Sequence, residues 1–159
     1  LPRNMLINFP HLLNDVNVVL LVTEMTLAGA RDAIRVLSWM KSNAPHVQTI
    51  VVANKVLPGT GEISKADFEA SIERKIGFTI PYDAKAAANA AKLGQTFADA
   101  NRSAKAGVLI RDLAKAVHGV GDGETVDDAL KPKSSLLGKF DLKALLPKKA
   151  AKAPAPASA

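Results

Sequence analysis

The sequence has no cysteine. That excludes a disulfide scaffold, a thiolate zinc site and a cysteine nucleophile, and it fits a reducing cytosol. Aromatic residues are scarce at 4%, so a core must be built from Val, Ile, Leu and Ala, which the 48% hydrophobic content can supply. Long apolar runs are missing too. The longest, residues 18–22, falls far short of the roughly 20 residues needed to span a bilayer. The first residue is Leu, and no charged segment followed by an apolar one comes after it, so no signal peptide is read and the true start is expected upstream. No glycine opens a phosphate-binding loop ending in Lys-Ser/Thr. Gly138-Lys139 is followed by Phe140, and Gly59-Thr-Gly61 has Ser64 where a dinucleotide fingerprint needs glycine, which leaves a flexible strand-to-helix turn. There is no Gly-x-Ser-x-Gly elbow, and no carboxylates pair by spacing. His11, His46 and His118 lie in separate segments without ligand spacing; His118 suits the negative end of a helix.

The net charge of +6 has a location. Residues 131–159 hold seven Lys and one Asp, whereas residues 1–130 carry 14 basic and 14 acidic side chains. A neutral body argues against a large nucleic-acid face, and the basic tail is open to anionic lipid, nucleic acid or an acidic partner.

Residues 18–22 and 47–53 are continuous aliphatic runs. Runs that do not alternate have both faces covered, which marks parallel strands in an α/β layer fold. Between them Thr26 caps a helix with Ala30, Ala33, Ile34 and Leu37 on its apolar stripe, and Pro45 ends the segment. This is a βαβ unit. A turn-rich loop is expected over residues 54–61, then a helix opened by a Ser64/Asp67 capping box with Phe68, Ile72 and Ile76 on one face. Residues 78–80 form a third strand closed by Pro81. Two helices follow: 84–98 with Ala86, Ala90, Leu93 and Phe97 inward, and 103–118 with Ala106, Leu109, Ile110, Leu113 and Val117 inward, capped by Gly119. The domain is therefore drawn over residues 1–119. Residues 120–159 divide into an acidic linker and a basic, Ala- and Pro-rich tail expected to be disordered, apart from a short amphipathic helix over 134–146.

In an open parallel sheet, ligands bind outside the carboxyl ends of the strands. Asn54 and Lys55 follow one predicted strand; Pro81, Tyr82 and Asp83 follow the next. Asn offers a donor and an acceptor together, which suits the edge of a purine. Taken singly, Asn54 reads equally as a turn cap and Pro81 as a strand stop.

Together, Leu1-Pro-Arg3, the stretch from Val18 through Thr23-Glu24 to Arg31-Asp32, Val-Val-Ala-Asn-Lys-Val over 51–56 and Phe-Thr-Ile-Pro-Tyr-Asp over 78–83 resemble the MinD/ParA group of deviant-Walker ATPases. They are most similar to the pilus-assembly members called CpaE or TadZ. The resemblance covers about residues 1–118. It implies the carboxyl-terminal part of a parallel-sheet P-loop NTPase-like domain, a Rossmann-like three-layer α/β fold. In that family Asp-Leu-Pro-Arg forms a metal-side motif, and here the chain begins one residue after the Asp position. A receiver-like domain and the Walker A loop are implied upstream. By the same resemblance Asn54 reads the base, Pro81 and Asp83 lie against base and ribose, Tyr82 is a weaker member, and Arg3 stands in the switch region. ATP and Mg²⁺ are implied for the full-length parent, with nucleotide-dependent homodimerisation, pilus or secretion assembly proteins as partners, and a place in the bacterial cytoplasm at the inner-membrane face or cell pole. The tail is then a weak membrane-surface contact or a solubilising extension. Two alternatives stay open: a non-enzymatic scaffold with a degenerate site, and a ParA-like partitioning protein, which the neutral body disfavours because DNA then has no basic face. Without the phosphate loop and a metal-binding carboxylate, no ATP turnover is expected of these residues. With a strand edge uncovered, the chain is expected to be poorly soluble or partly molten.

Overall fold

The two aliphatic runs become the first two strands of a parallel sheet. The computed structural model describes residues 2–57, 59 and 62–130. Strand β1 spans Val18–Thr23, β2 spans Gln48–Val56 and β3 spans Ile76–Pro81; all are parallel, in the order β1-β2-β3. Register runs from Val18 opposite Gln48 to Thr23 opposite Ala53, and from Val51 opposite Ile76 to Val56 opposite Pro81. The helices are α1 (Arg3–Asn8), α2 (Leu27–Asn43), α3 (Lys65–Ile72), α4 (Ala84–Leu93), α5 (Phe97–Ala100), α6 (Lys105–Gly121) and α7 (Val126–Leu130), with a 3-10 turn at Pro10–Leu13.

β2 is central, and its residues divide between two faces with a period of two. Val51 and Ala53 pack with Ala30, Ala33, Phe68, Ile72 and Ile76 under α2 and α3. Ile50 and Val52 pack with Val120, and with the half-buried Phe78, Leu113, Val126 and Leu130, under α6 and α7. A third cluster joins Leu6 and Leu13 to Val36 and Met40 of α2. The sheet is thus a middle layer between helices, the three-layer α/β arrangement that continuous apolar strands require.

The helix starts follow the sequence. Thr26 Oγ1 accepts the Gly29 N–H at 2.9 Å. Ser64 Oγ accepts the Asp67 N–H at 3.1 Å and donates to its carboxylate at 2.6 Å. Gly29 is required by space: a Cβ there would lie 2.2 Å from the Glu24 carbonyl oxygen.

Several helix ends and faces differ from expectation, each for a local reason. On α2, Ile34 is 43% exposed while Val36 and Met40 are buried. The buried stripe turns toward the Leu6 and Leu13 cluster, which needs large side chains at 36 and 40. Helix α3 stops at Ile72, where Glu73 takes the left-handed φ of 53°, and Ile76 opens β3 rather than extending the helix. The expected 84–98 helix is two. Gly94, at φ 61°, ends α4, and Thr96 Oγ1 accepts the Asp99 N–H to start α5; Leu93 is left 56% exposed. Helix α6 runs past Gly119 to Gly121, burying Val120. Beyond it, where an acidic linker is expected, α7 packs on the sheet: Val126 N–H donates to Gln48 Oε1 at 2.8 Å, and Leu130 covers Gly77. The expected 134–146 helix lies outside the described residues.

Glu69 fixes the entry to β3. Its carboxylate accepts the Ile76 N–H at 2.9 Å and pairs with Lys75 at 3.0 Å and Lys65 at 3.8 Å. The Ile76 N–H first, then Lys75, hold its pKa below the ordinary 4.5. A depressed folded pKa stabilises above the unfolded value, and that contribution is lost as pH falls through the folded one. Glu69→Gln is therefore expected to cost about 1 kcal/mol at pH 7. Its urea midpoint should merge with the parent's once pH drops well below 4.5. A gap that stays constant from pH 7 into acid would refute this role.

Candidate functional site at the carboxyl edge of the sheet

The carboxyl ends of the three strands come together as the parallel order dictates. β1 delivers Thr23 and Glu24, β2 delivers Asn54, Lys55 and Val56, and β3 delivers Pro81, Tyr82 and Asp83. Val56 stands opposite Pro81, and the Tyr82 N–H donates to the Val56 carbonyl at 3.1 Å. The structure therefore brings the two sequence-predicted segments side by side. The expected loop at 54–61 starts later, because β2 continues through Asn54 and Lys55 to Val56.

β2 does so with a bulge. Register passes from Ala53–Thr79 to Val56–Pro81, so Asn54 and Lys55 oppose the single residue Ile80. Lys55 has φ 55°. Asn54 is half-buried, and its carboxamide makes no hydrogen bond among the described residues. A half-buried amide with its donors and acceptor unspent is suited to a planar, hydrogen-bonding ligand. Tyr82, just past the end of β3, is 50% exposed.

Asp83 serves the fold as well: its Oδ1 accepts the Ala86 N–H at 2.8 Å and caps α4. The cap fixes the Pro81–Asp83 turn and leaves Oδ2 to solvent or ligand. Arg3 opens α1, and its side chain lies outside the described residues. Its helix neighbours Asn4 and Leu6 line a groove of about 820 Å³ along the outer side of β1.

Two contacts are not anticipated by the sequence. Lys55 Nζ pairs with Glu24 Oε1 at 2.9 Å, bridging the ends of β1 and β2 and raising the lysine pKa through that hydrogen bond. Glu62 Oε2 accepts the Leu27 N–H at 3.2 Å, tying the loop after β2 to the start of α2, where negative charge is favoured. The first is recoverable in principle, since Glu24 and Lys55 each lie at the end of one of two adjacent strands. The second needs the loop's path.

Among the described residues no three His, Asp or Glu side chains converge as a metal site. His46 faces the Leu13 carbonyl at 3.0 Å and His11 stands edge-on to Phe9. The arrangement places an amide edge at the carboxyl end of β2, a geometry suited to a planar, hydrogen-bonding ligand. No described helix is long and apolar enough to cross a membrane.

No protein-family model matches the sequence, and no curated protein matches it either. Among solved structures, a ParA family ATPase from Chlorobium tepidum TLS is similar, with a TM-score of 0.55 and 22% identity over 68% of this chain and 42% of that one. The chain spans less than half the length of that neighbour. The likeness shows the fold alone: a parallel-sheet, three-layer α/β arrangement like part of that neighbour.

Proposed function

We propose that this chain carries the base-side wall of an adenine nucleotide site in a MinD/ParA-type ATPase of the CpaE/TadZ kind, serving pilus assembly or its placement. The observation that supports it is the bulged end of β2, which sets Asn54, whose carboxamide has no hydrogen bond among the described residues, beside the Pro81–Asp83 turn at the carboxyl edge of a parallel sheet. In this reading Asn54 hydrogen-bonds the base, Pro81 and Tyr82 flank it, and Asp83 keeps the turn rigid. Arg3 belongs to the switch region on the catalytic side. ATP with Mg²⁺ binds the full-length parent, whose other residues supply the phosphate loop and the metal ligands. That parent works as a nucleotide-dependent homodimer among assembly proteins in the bacterial cytoplasm, at the inner-membrane face or cell pole, with the basic tail as a weak membrane contact. A partitioning role is disfavoured, because residues 1–130 balance their charges, which argues against a large DNA-binding face.

The test is a ¹⁵N-correlation titration of the 159-residue chain with adenosine, guanosine and ATP. Binding near ~1 mM, worth about 4 kcal/mol, is expected from one wall of a site. The shifts should centre on Asn54, Lys55, Tyr82 and Asp83, with adenosine about as effective as ATP because no phosphate loop contributes. Asn54→Ala should remove the response, and phosphate release from ATP should stay at background. Shifts confined elsewhere, or a saturating response unchanged by Asn54→Ala, would sink the reading.

A further inference from the structure

Two non-glycine residues have left-handed backbone among the described residues, Glu73 and Lys55. Glu73 is explained where it sits: it ends α3, and its N–H and that of Arg74 satisfy the carbonyls of Ala70 and Glu69. Lys55 ends no helix. It is the second of two residues opposite one in the β2 bulge, and it directly follows Asn54. Its side chain is held by Glu24, in an ion pair whose side chains are 58% and 53% exposed. An exposed pair of this kind contributes little to stability. Left-handed backbone at a residue with a long side chain costs more than such a pair returns, and strain of this sort collects at sites that must hold one geometry. A bulge also re-aims the side chain beside it.

We infer that Lys55, clasped by Glu24, is the positioning residue for the Asn54 carboxamide. The left-handed turn at Lys55 lets Val56 regain its pairing with Pro81 while Asn54 stays out of the ladder to β3, with its amide unspent at the edge. Glu24 reaches from the end of β1 and holds the lysine in that conformation, so the three strand ends are linked in one chain of contacts: Glu24 to Lys55, Lys55 to Asn54 through the backbone, Val56 to Tyr82. The positioning stands on this geometry alone; its consequence for ligand recognition rests on the base-wall reading above.

The experiment uses Lys55→Val, Lys55→Gly and Glu24→Gln in the 159-residue chain. The Asn54 side-chain amide is followed first without ligand, by its chemical shifts and ¹⁵N relaxation, and then with adenosine. Valine disfavours the left-handed conformation, so in Lys55→Val the Asn54 amide should shift and lose order, and adenosine binding should weaken about five- to tenfold, as expected for one lost hydrogen-bonding group. Glycine takes the left-handed conformation without strain but has no side chain for Glu24 to clasp, so Lys55→Gly should keep the Asn54 amide near the parent's chemical shift while its order falls. In Glu24→Gln the lysine is released, and the Asn54 amide should become more mobile. If the Asn54 amide keeps the parent's shifts and order in both Lys55→Val and Glu24→Gln, the inference is overturned. Should Lys55→Val fail to fold, Glu24→Gln decides alone. Adenosine leaving the parent spectrum untouched would end the base-wall reading, while the ligand-free Asn54 data would still decide the positioning.

Discussion

Phe68→Ala will cost the chain about 3–5 kcal/mol, a large share of the ~5–15 kcal/mol that most domains have in total. Phe68 is fully buried at the centre of the cluster under α2 and α3. Its neighbours explain why the loss falls at the upper end. Ala30, Ala33 and Ala53 have no side chain to swing into the space, and Val51 is β-branched and fixed at χ1 within the central strand. These neighbours limit how far the cavity can close, and dispersion contacts are lost along with the transfer term. In a sequence with five Phe and one Trp, no other aromatic among the described residues is as fully buried. Urea denaturation followed by far-ultraviolet circular dichroism should show a collapsed or absent transition for Phe68→Ala and a modest shift for Phe68→Leu. An unchanged midpoint for Phe68→Ala would contradict the packing described.

The second large effect is association through β1. Its outer edge is unpaired among the described residues, and residues 18–23 contain no proline and no charge. Leu20 and Val22 are 37% and 56% exposed there, beside the groove lined by Leu6, Leu13 and Val36. An apolar, regular edge of this length is a template for another strand. The chain is expected to self-associate in a concentration-dependent way, at the micromolar-to-millimolar range where exposed strand edges aggregate. Val22→Lys should shift sedimentation velocity profiles toward monomer with little loss of stability, because more than half of Val22 is already in water. A parent chain that sediments as monomer at all loadings, or a Val22→Lys variant that associates as strongly, would show that the edge is not the adhesive surface. A sharp, cooperative thermal transition in the monomeric variant would also show that the expected molten character is a product of association and not of the fold.

The architecture is legible because continuous aliphatic runs bounded by turn residues mark parallel strands; β2 is covered on both faces as that pattern implies, whereas β1, at the edge, leaves Leu20 and Val22 exposed. Thr26 and Ser64 are legible because capping is a contact over three residues. Spacing misplaces Ile34 because a 3.6-residue period leaves the stripe's angle free by a residue on either side, and the choice of Val36 and Met40 depends on Leu6 and Leu13, which no spacing reveals. Ile76 looks helical because its spacing from Ile72 is four; the side chain of Glu69 bonding past the helix end decides otherwise. Helix α7 is hidden by its own composition, since Asp127 and Asp128 look like solvated linker while Val126 and Leu130 do the packing. At the candidate site, adjacency of Asn54 with Pro81 and Asp83 follows from strand order. The left-handed Lys55 does not, because it is a backbone event set by the register of β2 against β3.

Strand order that follows chain order also governs how the chain folds. Val18 meets Gln48 and Val51 meets Ile76, separations of 30 and 25 residues, so each pairing closes a loop of moderate length and none must wait for the other end of the chain. The sheet can grow by successive neighbour additions. Contacts that span half the sequence come from the last two helices, among them the Val126 amide on Gln48, 78 residues apart. That amide joins the sheet to a five-residue helix too short to persist alone, so amide exchange is expected to be faster in α7 than in the strands it covers.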